Sequence, residues 1–250
     1  MKSWRSALRR VRDNPRMALR TGIALARGQY YRAKFRVFGQ RVIIGRLFQV
    51  TGPLVIRGPG TVIFGDECAV VSSRLAPTTP YTHTPEAVIR FGNRVLLTGT
   101  RLSCERGIDV GDHTGLSDAR IMDTNFHAVE SYGEPRYNTR GVSKAIAIGA
   151  NVWVGAGAMV LKGVKIGDNS VVGAGSVVAN NVPANAVVFG NPARVIWRLK
   201  GRPADVAVSP YTPDTSFAVT PSVLPGTREP SRAIPLSADM TQLGTSSPEA

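Results

Sequence analysis

Long apolar runs, cysteines and N-terminal acidic residues are all scarce in this chain. No stretch of about 18 consecutive apolar residues occurs, which excludes a helical membrane span. Only Cys68 and Cys104 are present, too few for a disulfide framework, and they are expected as buried free thiols. The opening stretch, MKSWRSALRRVRDNPRMALR, is basic but lacks an uninterrupted apolar segment and an obvious cleavage site, so a cytoplasmic location is expected. Residues 1–46 hold 13 Lys/Arg and one acid, Asp13, which places +12 of the formal +14 there. The remainder carries 18 basic and 16 acidic residues, only +2. That body shows no basic stripe and no motif for reading bases, so no nucleic-acid partner is expected. Aromatics are sparse at 7%, while 26 glycines suit a turn-rich β fold.

What the chain does contain is a period. In IGANVWVGAGAMVLKGVKIGDNSVVGAGSVV, Ile148, Val154, Val160, Ile166, Val172 and Val178 recur every sixth residue. Gly149, Gly155, Gly167, Gly173 and Ala179 follow five of them, and Leu161 is the exception. A helix repeats near 3.6 residues and a strand at 2, so six is a superstructure period. Further back, Cys104, Val110, Leu116 and Met122 keep the spacing, as do Phe91 and Leu97 before one extra residue. Ile44, Val50, Ile56 and Val62 fit as well, until Phe64-Gly65 resets the phase.

Three short strands with two-residue corners consume about 18 residues and return the chain above its start, one strand spacing, about 4.8 Å, higher. The head of each hexad then points inward and stacks on the head three hexads later, Ile148 under Ile166, Val154 under Val172 and Val160 under Val178. Each buried Val or Ile contributes about 1.5–3 kcal/mol. Gly, Asn and Asp suit the corners, as in GAN and GDN. Two stretches break the repeat, roughly 71–87 and 128–147, and interruptions this long usually serve a binding site.

Three segments follow. Residues 1–46 form a basic, helical extension, with Trp4, Leu8 and Val11 on one face, Pro15 interrupting, and a second helix from about Arg16 to Arg27. It is read either as a cap on the open end of the core or as a basic segment on an anionic membrane surface. Residues 47–200 hold the repeat, and NPARVIWRLKG within them reads as a short capping helix. Residues 201–250 carry 8 of the 17 prolines and no hexads, and are read as a disordered tail.

VWVGAGA, GAGSVV, VFGNPARVI and DTNFH resemble the hexapeptide-repeat acyltransferases over about 100–150 residues. The resemblance implies an all-β left-handed parallel β-helix, although the usual crossover rule alone favours the right-handed form. It implies a homotrimer and transfer of an acetyl group from acetyl-CoA to a hydroxyl of a sugar or polysaccharide precursor. By the same resemblance His127, where DTNFH leaves the repeat, is the general base, a role that an ordinary imidazole suits near neutral pH. Asp123 is expected to orient it or hold the sugar, and Asn125 to contact substrate. Trp153, Ala156, Ala174 and Ser176 are expected along the coenzyme A arm, and Arg194 at its phosphates.

The chain departs from the family at Ala179-Asn180, where many relatives carry Thr-Lys, and at Trp197, where a basic residue is usual. His83 and His113 are expected to be solvated. The spacings between His83, His113 and His127, 30 and 14 residues, do not match the three-histidine zinc pattern of carbonic anhydrases with this fold, so no metal is expected. Two other functions remain open: N-acylation of an amino sugar or sugar nucleotide, for which a nucleotide-recognition domain is usual, and a non-enzymatic scaffold attached to membrane through the extension.

Overall fold

A computed structural model describes residues 15–130 and 132–200. The expected face of Trp4, Leu8 and Val11 and the tail from 201 onward lie outside the described residues. Among the described residues, no helix is long and apolar enough to cross a membrane.

The hexads fold into a three-faced parallel coil. The first face comprises Val42–Ile44, Thr61–Phe64, Val88–Phe91, Gly107–Val110, Ile146–Ile148 and Lys165–Ile166. The second runs from Gln49–Thr51 through Ala69–Val71, Leu96–Thr98, Gly115–Ser117, Trp153–Val154 and Val171–Val172 to Ala186–Gly190. The third holds Thr79–Thr82, Arg101–Cys104, Arg120–Met122, Met159–Val160 and Val177–Val178. Sequential strands visit different faces, and each pairs in parallel with the strand one coil away.

All six heads of the clean run point inward and are at most 3% exposed. Ile148 pairs with Ile166, Val154 with Val172, and Val160 with Val178, which is the stacking a period of six requires. The first-face column extends back through Val110, Phe91 and Phe64 to Ile44. Phe64 and Phe91 stack at 4.8 Å between ring centroids, and Phe48 joins Phe64 at 4.9 Å. The few aromatics are therefore concentrated at the N-terminal end of the core.

The third-face column is out of phase with the expected heads. Ile121, not Met122, is inward and pairs with Val160 on one side and Leu102 on the other. The corner from the second to the third face is one residue shorter in these coils, turning at Gly99 (φ +60°) and Asp118 (φ +40°). Leu97 to Leu102 and Leu116 to Ile121 are steps of five, whereas Val154 to Val160 is a step of six. Cys104 is inward too, but as the second buried residue of its strand, after Leu102.

The corner from the first to the second face carries a column of left-handed residues: Leu47, Glu67, Arg94, His113, Asn151, Asn169 and Asn185. Beside it, Asp66, Asn93, Asp112 and Asp168 each accept a backbone N–H from the coil below. His113 is therefore a half-buried corner residue. The expected affinity of Asn for these bends holds at Asn151 and Asn169.

Helix α1 spans Pro15–Val37, longer than the repeatless segment suggested. Its Ala24, Gly28 and Phe35 are buried against the first coils, with the Gly28 Cα against the Phe48 carbonyl. The Tyr31 hydroxyl accepts the Leu54 N–H at 3.2 Å. The helix thus covers the open N-terminal end of the stack. At the other end the expected helix is a strand: Ala193–Arg198 pairs antiparallel with Ala186–Gly190. Pairing with an exposed sheet edge satisfies backbone groups that a helix there leaves without a docking face.

The expected break at 71–87 is only partial, because Thr79–Thr82 is an ordinary third-face strand paired with Arg101–Cys104. The break after Met122 is a true excursion. It leaves the third face and rejoins the first at Ile146, with one turn of 3₁₀ helix at Arg136–Asn138.

Candidate active site

The excursion is pinched at its base. Thr124 bridges Ser143 in antiparallel fashion, Lys144 N–H donates to the Asp123 carbonyl at 2.8 Å, and Gly141 N–H donates to that of Phe126 at 3.0 Å. The Ala128 N–H is received by the Thr139 hydroxyl at 2.9 Å. Phe126 takes a left-handed turn, φ +61°, and the His127 N–H folds back onto the Asn125 carbonyl at 2.7 Å. These bonds push the His127 side chain outward, and it is exposed.

His127 and Asn125 line a cleft of about 730 Å³ at the corner between the third and first faces. Leu161, Lys162 and Ala179 from the next two coils line it as well, as do Met122 and Arg136. Leu161 is the residue that breaks the pattern of a small residue behind each head, and Ala179 stands where many relatives carry Thr. Lys162 and Arg136 give the cleft two cations. In the sequence neither stands out, since a lone Lys or Arg is indistinguishable there from a solvated surface charge; the irregularity at Leu161-Lys162 is the available signal.

Asp123 is not free to orient His127. Its carboxylate is fully buried and accepts the backbone N–H groups of Glu105 (2.8 Å), Arg106 (2.7 Å) and Gly107 (2.8 Å). The Cys104 thiol donates to it as well, at 3.4 Å. Asp123 holds the turn beneath the excursion, a structural role in place of the expected catalytic one. Burial, together with the Asp123 charge, pushes the Cys104 thiol upward, and burial pushes Cys68 up to about 11. Both cysteines are free and buried, as expected.

His83, like His113, is less solvated than expected. It is half-buried, with its ring 4.1 Å from that of Tyr81 and 4.9 Å, edge-on, from Phe126. Its Nε2 is buried with no hydrogen-bond partner. Burial lowers its pKa, against a smaller opposing pull from the charges of Glu105 and Asp123. Among the described residues no three His, Cys, Asp or Glu side chains converge as a metal site.

The residues expected along the donor arm lie elsewhere on the coil. Trp153 is exposed on the second face, its ring lying over Gly115. Ala156 and Ala174 are exposed on adjacent coils at the corner of the second and third faces, where Gly175 N–H donates to the Ala156 carbonyl at 2.8 Å. A Cβ at Gly155 would lie 2.7 Å from the Ala174 nitrogen, so these corners stack only with minimal side chains. Ser176 is fully buried and receives the Gly190 N–H on its hydroxyl at 3.1 Å. It ties the terminal hairpin to the coil, and its burial leaves no surface for the expected contact with the coenzyme A arm. Arg194 is exposed on that hairpin, opposite Phe189. Within one chain none of these residues lines the His127 cleft.

Residues 146–180 match the family described as bacterial transferase hexapeptide (six repeats). Among solved structures, the chain is similar to AntD, an N-acyltransferase from Bacillus cereus in complex with dTDP and 3-hydroxybutyryl-CoA. The identity is 18%, over 68% of this chain and 88% of that one, with a TM-score of 0.54. A galactoside acetyltransferase in complex with coenzyme A matches at 27% identity over 62% of this chain and 66% of that one, with a TM-score of 0.37. A hexapeptide-repeat-containing acetyltransferase from Vibrio cholerae matches at 22%, over 74% and 93%, with a TM-score of 0.38. The chain is a hexapeptide-repeat solenoid with the architecture of a left-handed parallel β-helix.

Proposed function

We propose that the protein is a coenzyme A-dependent acyltransferase that moves an acetyl group from acetyl-CoA to a hydroxyl of a sugar or polysaccharide precursor, with His127 as general base. The observation that carries this is the presentation of His127: a backbone clamp holds an exposed imidazole at the edge of a cleft, beside the coil corners. The match to a family of bacterial transferases supports the same reaction class.

In the proposed step a neutral ring nitrogen of His127 takes the proton of the acceptor hydroxyl as its oxygen bonds to the thioester carbon. The resulting oxyanion collapses, the carbon–sulfur bond breaks, and the thiolate takes the proton back from the imidazolium. The products are an ester and free coenzyme A. Met122, Leu161 and Ala179 exclude water from one wall of the cleft, while Arg136 and Lys162 favour anionic groups there. In this reading Asn125, which lines the cleft with His127, hydrogen-bonds the acceptor.

Trp153, Ala156, Ala174 and Arg194 sit on a different side of the coil from His127. The reading therefore requires a second copy to bring them to the cleft, as in a trimer with its sites between subunits. Supply of acetyl-CoA suits a cytoplasmic location. Transfer to an amino nitrogen uses the same base and leaves an amide in place of an ester.

The test is release of coenzyme A across a panel of sugars, with product mass and sensitivity of the product to hydroxylamine. An ester product is cleaved and an amide is not. His127→Ala should lower turnover by about 100-fold or more while the assembly stays intact. Turnover near wild type in that variant would remove His127 from the mechanism.

A further inference from the structure

Helix α1 has two apolar faces, and the solenoid uses only one. The inward positions are Met17, Thr21, Ala24, Gly28, Tyr31 and Phe35, at alternating steps of four and three, all buried or half-buried. The outward positions are Leu19, Ile23, Ala26, Tyr30, Ala33 and Val37, at the same steps and all exposed. Leu19 is 66% exposed, Ile23 52%, Tyr30 62% and Val37 78%. On a helix of 3.6 residues per turn those steps make one continuous stripe, about 35 Å long for 23 residues. The stripe's side chains are exposed and take no part in the core cluster; Tyr30 meets the Tyr31 ring edge-on at 5.6 Å.

Charge selects the occupant. Residues 15–47 contain eight basic residues, Arg16, Arg20, Arg27, Arg32, Lys34, Arg36, Arg41 and Arg46, and no Asp or Glu. Arg27, Arg32 and Arg41 donate to backbone carbonyls of the solenoid, and Arg46 is paired with Asp66. Arg16, Arg20 and Arg36 make no such contact among the described residues. Arg16, Lys34 and Arg20 flank one side of the stripe and Arg36 the other. Two copies of this helix brought stripe to stripe face like charge along their whole length, which opposes self-association. An anionic surface meets the same charges favourably.

We infer that the outward face of α1 is a docking surface for an anionic lipid bilayer. The helix lies flat, with Leu19, Ile23, Tyr30 and Val37 entering the acyl boundary and the flanking Arg and Lys side chains reaching the headgroups. Tyr30 suits that depth because its ring is apolar and its hydroxyl polar. The solenoid stays on the water side, attached through the opposite face of the same helix. This inference does not depend on the transferase reading and is tested separately from it.

The test is sedimentation of the full chain with vesicles of phosphatidylglycerol and phosphatidylcholine, or of phosphatidylcholine alone. Binding is expected only to the anionic vesicles and to weaken as salt rises. The double substitution Leu19→Glu with Ile23→Glu should lower it by about tenfold or more without changing the melting temperature, since both side chains are exposed. Tyr30→Ser, a milder change, should lower it in the same direction. Arg16→Gln, Arg20→Gln and Arg36→Gln combined should weaken binding and flatten its salt dependence. Absence of binding to the anionic vesicles overturns the inference, as does equal binding to the neutral ones. So do stripe variants that bind like wild type. A stripe variant that dissociates an assembly in the absence of vesicles also overturns it, and assigns the stripe to a partner copy.

Discussion

Gly141 lies flat against the backbone of His127: a Cβ added at position 141 would sit 2.8 Å from the His127 amide nitrogen and 2.9 Å from Phe126 backbone atoms. The returning limb of the excursion can therefore close on the outgoing limb only because residue 141 has no side chain. That closure sets the direction of the imidazole.

Gly141→Ala should displace His127 by a fraction of an ångström while leaving the solenoid untouched. We expect kcat to fall by about 10- to 100-fold, with a melting temperature within a few degrees of wild type. Steady-state kinetics beside a thermal melt decides it. Unchanged kcat would mean that the clamp does not control the imidazole.

Asp123 and the turn Glu105–Gly107 form a buried, charge-assisted network. Asp123→Ala strands three backbone N–H groups at once. A loss of about 3–5 kcal/mol in urea unfolding is expected. Asp123→Asn keeps one acceptor oxygen and should cost less. A residue that acted only on catalysis would lower turnover in both variants without moving the unfolding midpoint.

Ile121 and Met122 separate core from cleft by one position. Ile121→Ala removes a fully buried head between Leu102 and Val160 and should cost about 2–5 kcal/mol. Met122→Ala should cost much less and alter the KM for the acceptor instead, because Met122 lines the cleft. Equal destabilisation by the two would contradict the phase of the third face.

His83 should make the fold acid-sensitive. Its folded pKa is lowered by burial, so in the unfolded chain it binds a proton more readily. Stability is then unaffected well above the ordinary histidine value, about 6.5, and declines as pH falls through it, levelling off only below the lowered folded value. His83→Phe keeps the stacking against Tyr81 and Phe126, removes the unpartnered Nε2 and should flatten that decline. Denaturant midpoints measured across the weakly acid range test this. An unchanged slope in the variant assigns the acid sensitivity to other groups.

The period of six, visible in Ile148 through Val178, determined the solenoid, its inward columns and the pairing of heads one coil apart. It did so because a side chain that recurs at a coil's third part has only one place to be buried. The Asn and Asp corners followed from local backbone preference. His127 was legible only through its motif and its position where the repeat stops.

Tertiary structure alone decided the rest. The phase of the third face depends on corners one residue shorter, and both Met122 and Ile121 satisfy an apolar pattern. Asp123 turned inward because three N–H groups of another coil needed an acceptor, and Ser176 because the hairpin did. His83 and Phe126 are 43 residues apart and meet only once the excursion folds back. The second stripe of α1 is sequence-visible as spacing, but which stripe faces the core was settled by the contact of Gly28 with Phe48, where no side chain other than hydrogen fits. Periodicity acts within a coil, while these choices are made between coils, where burial and unpaired backbone groups select among residues that local pattern leaves equivalent.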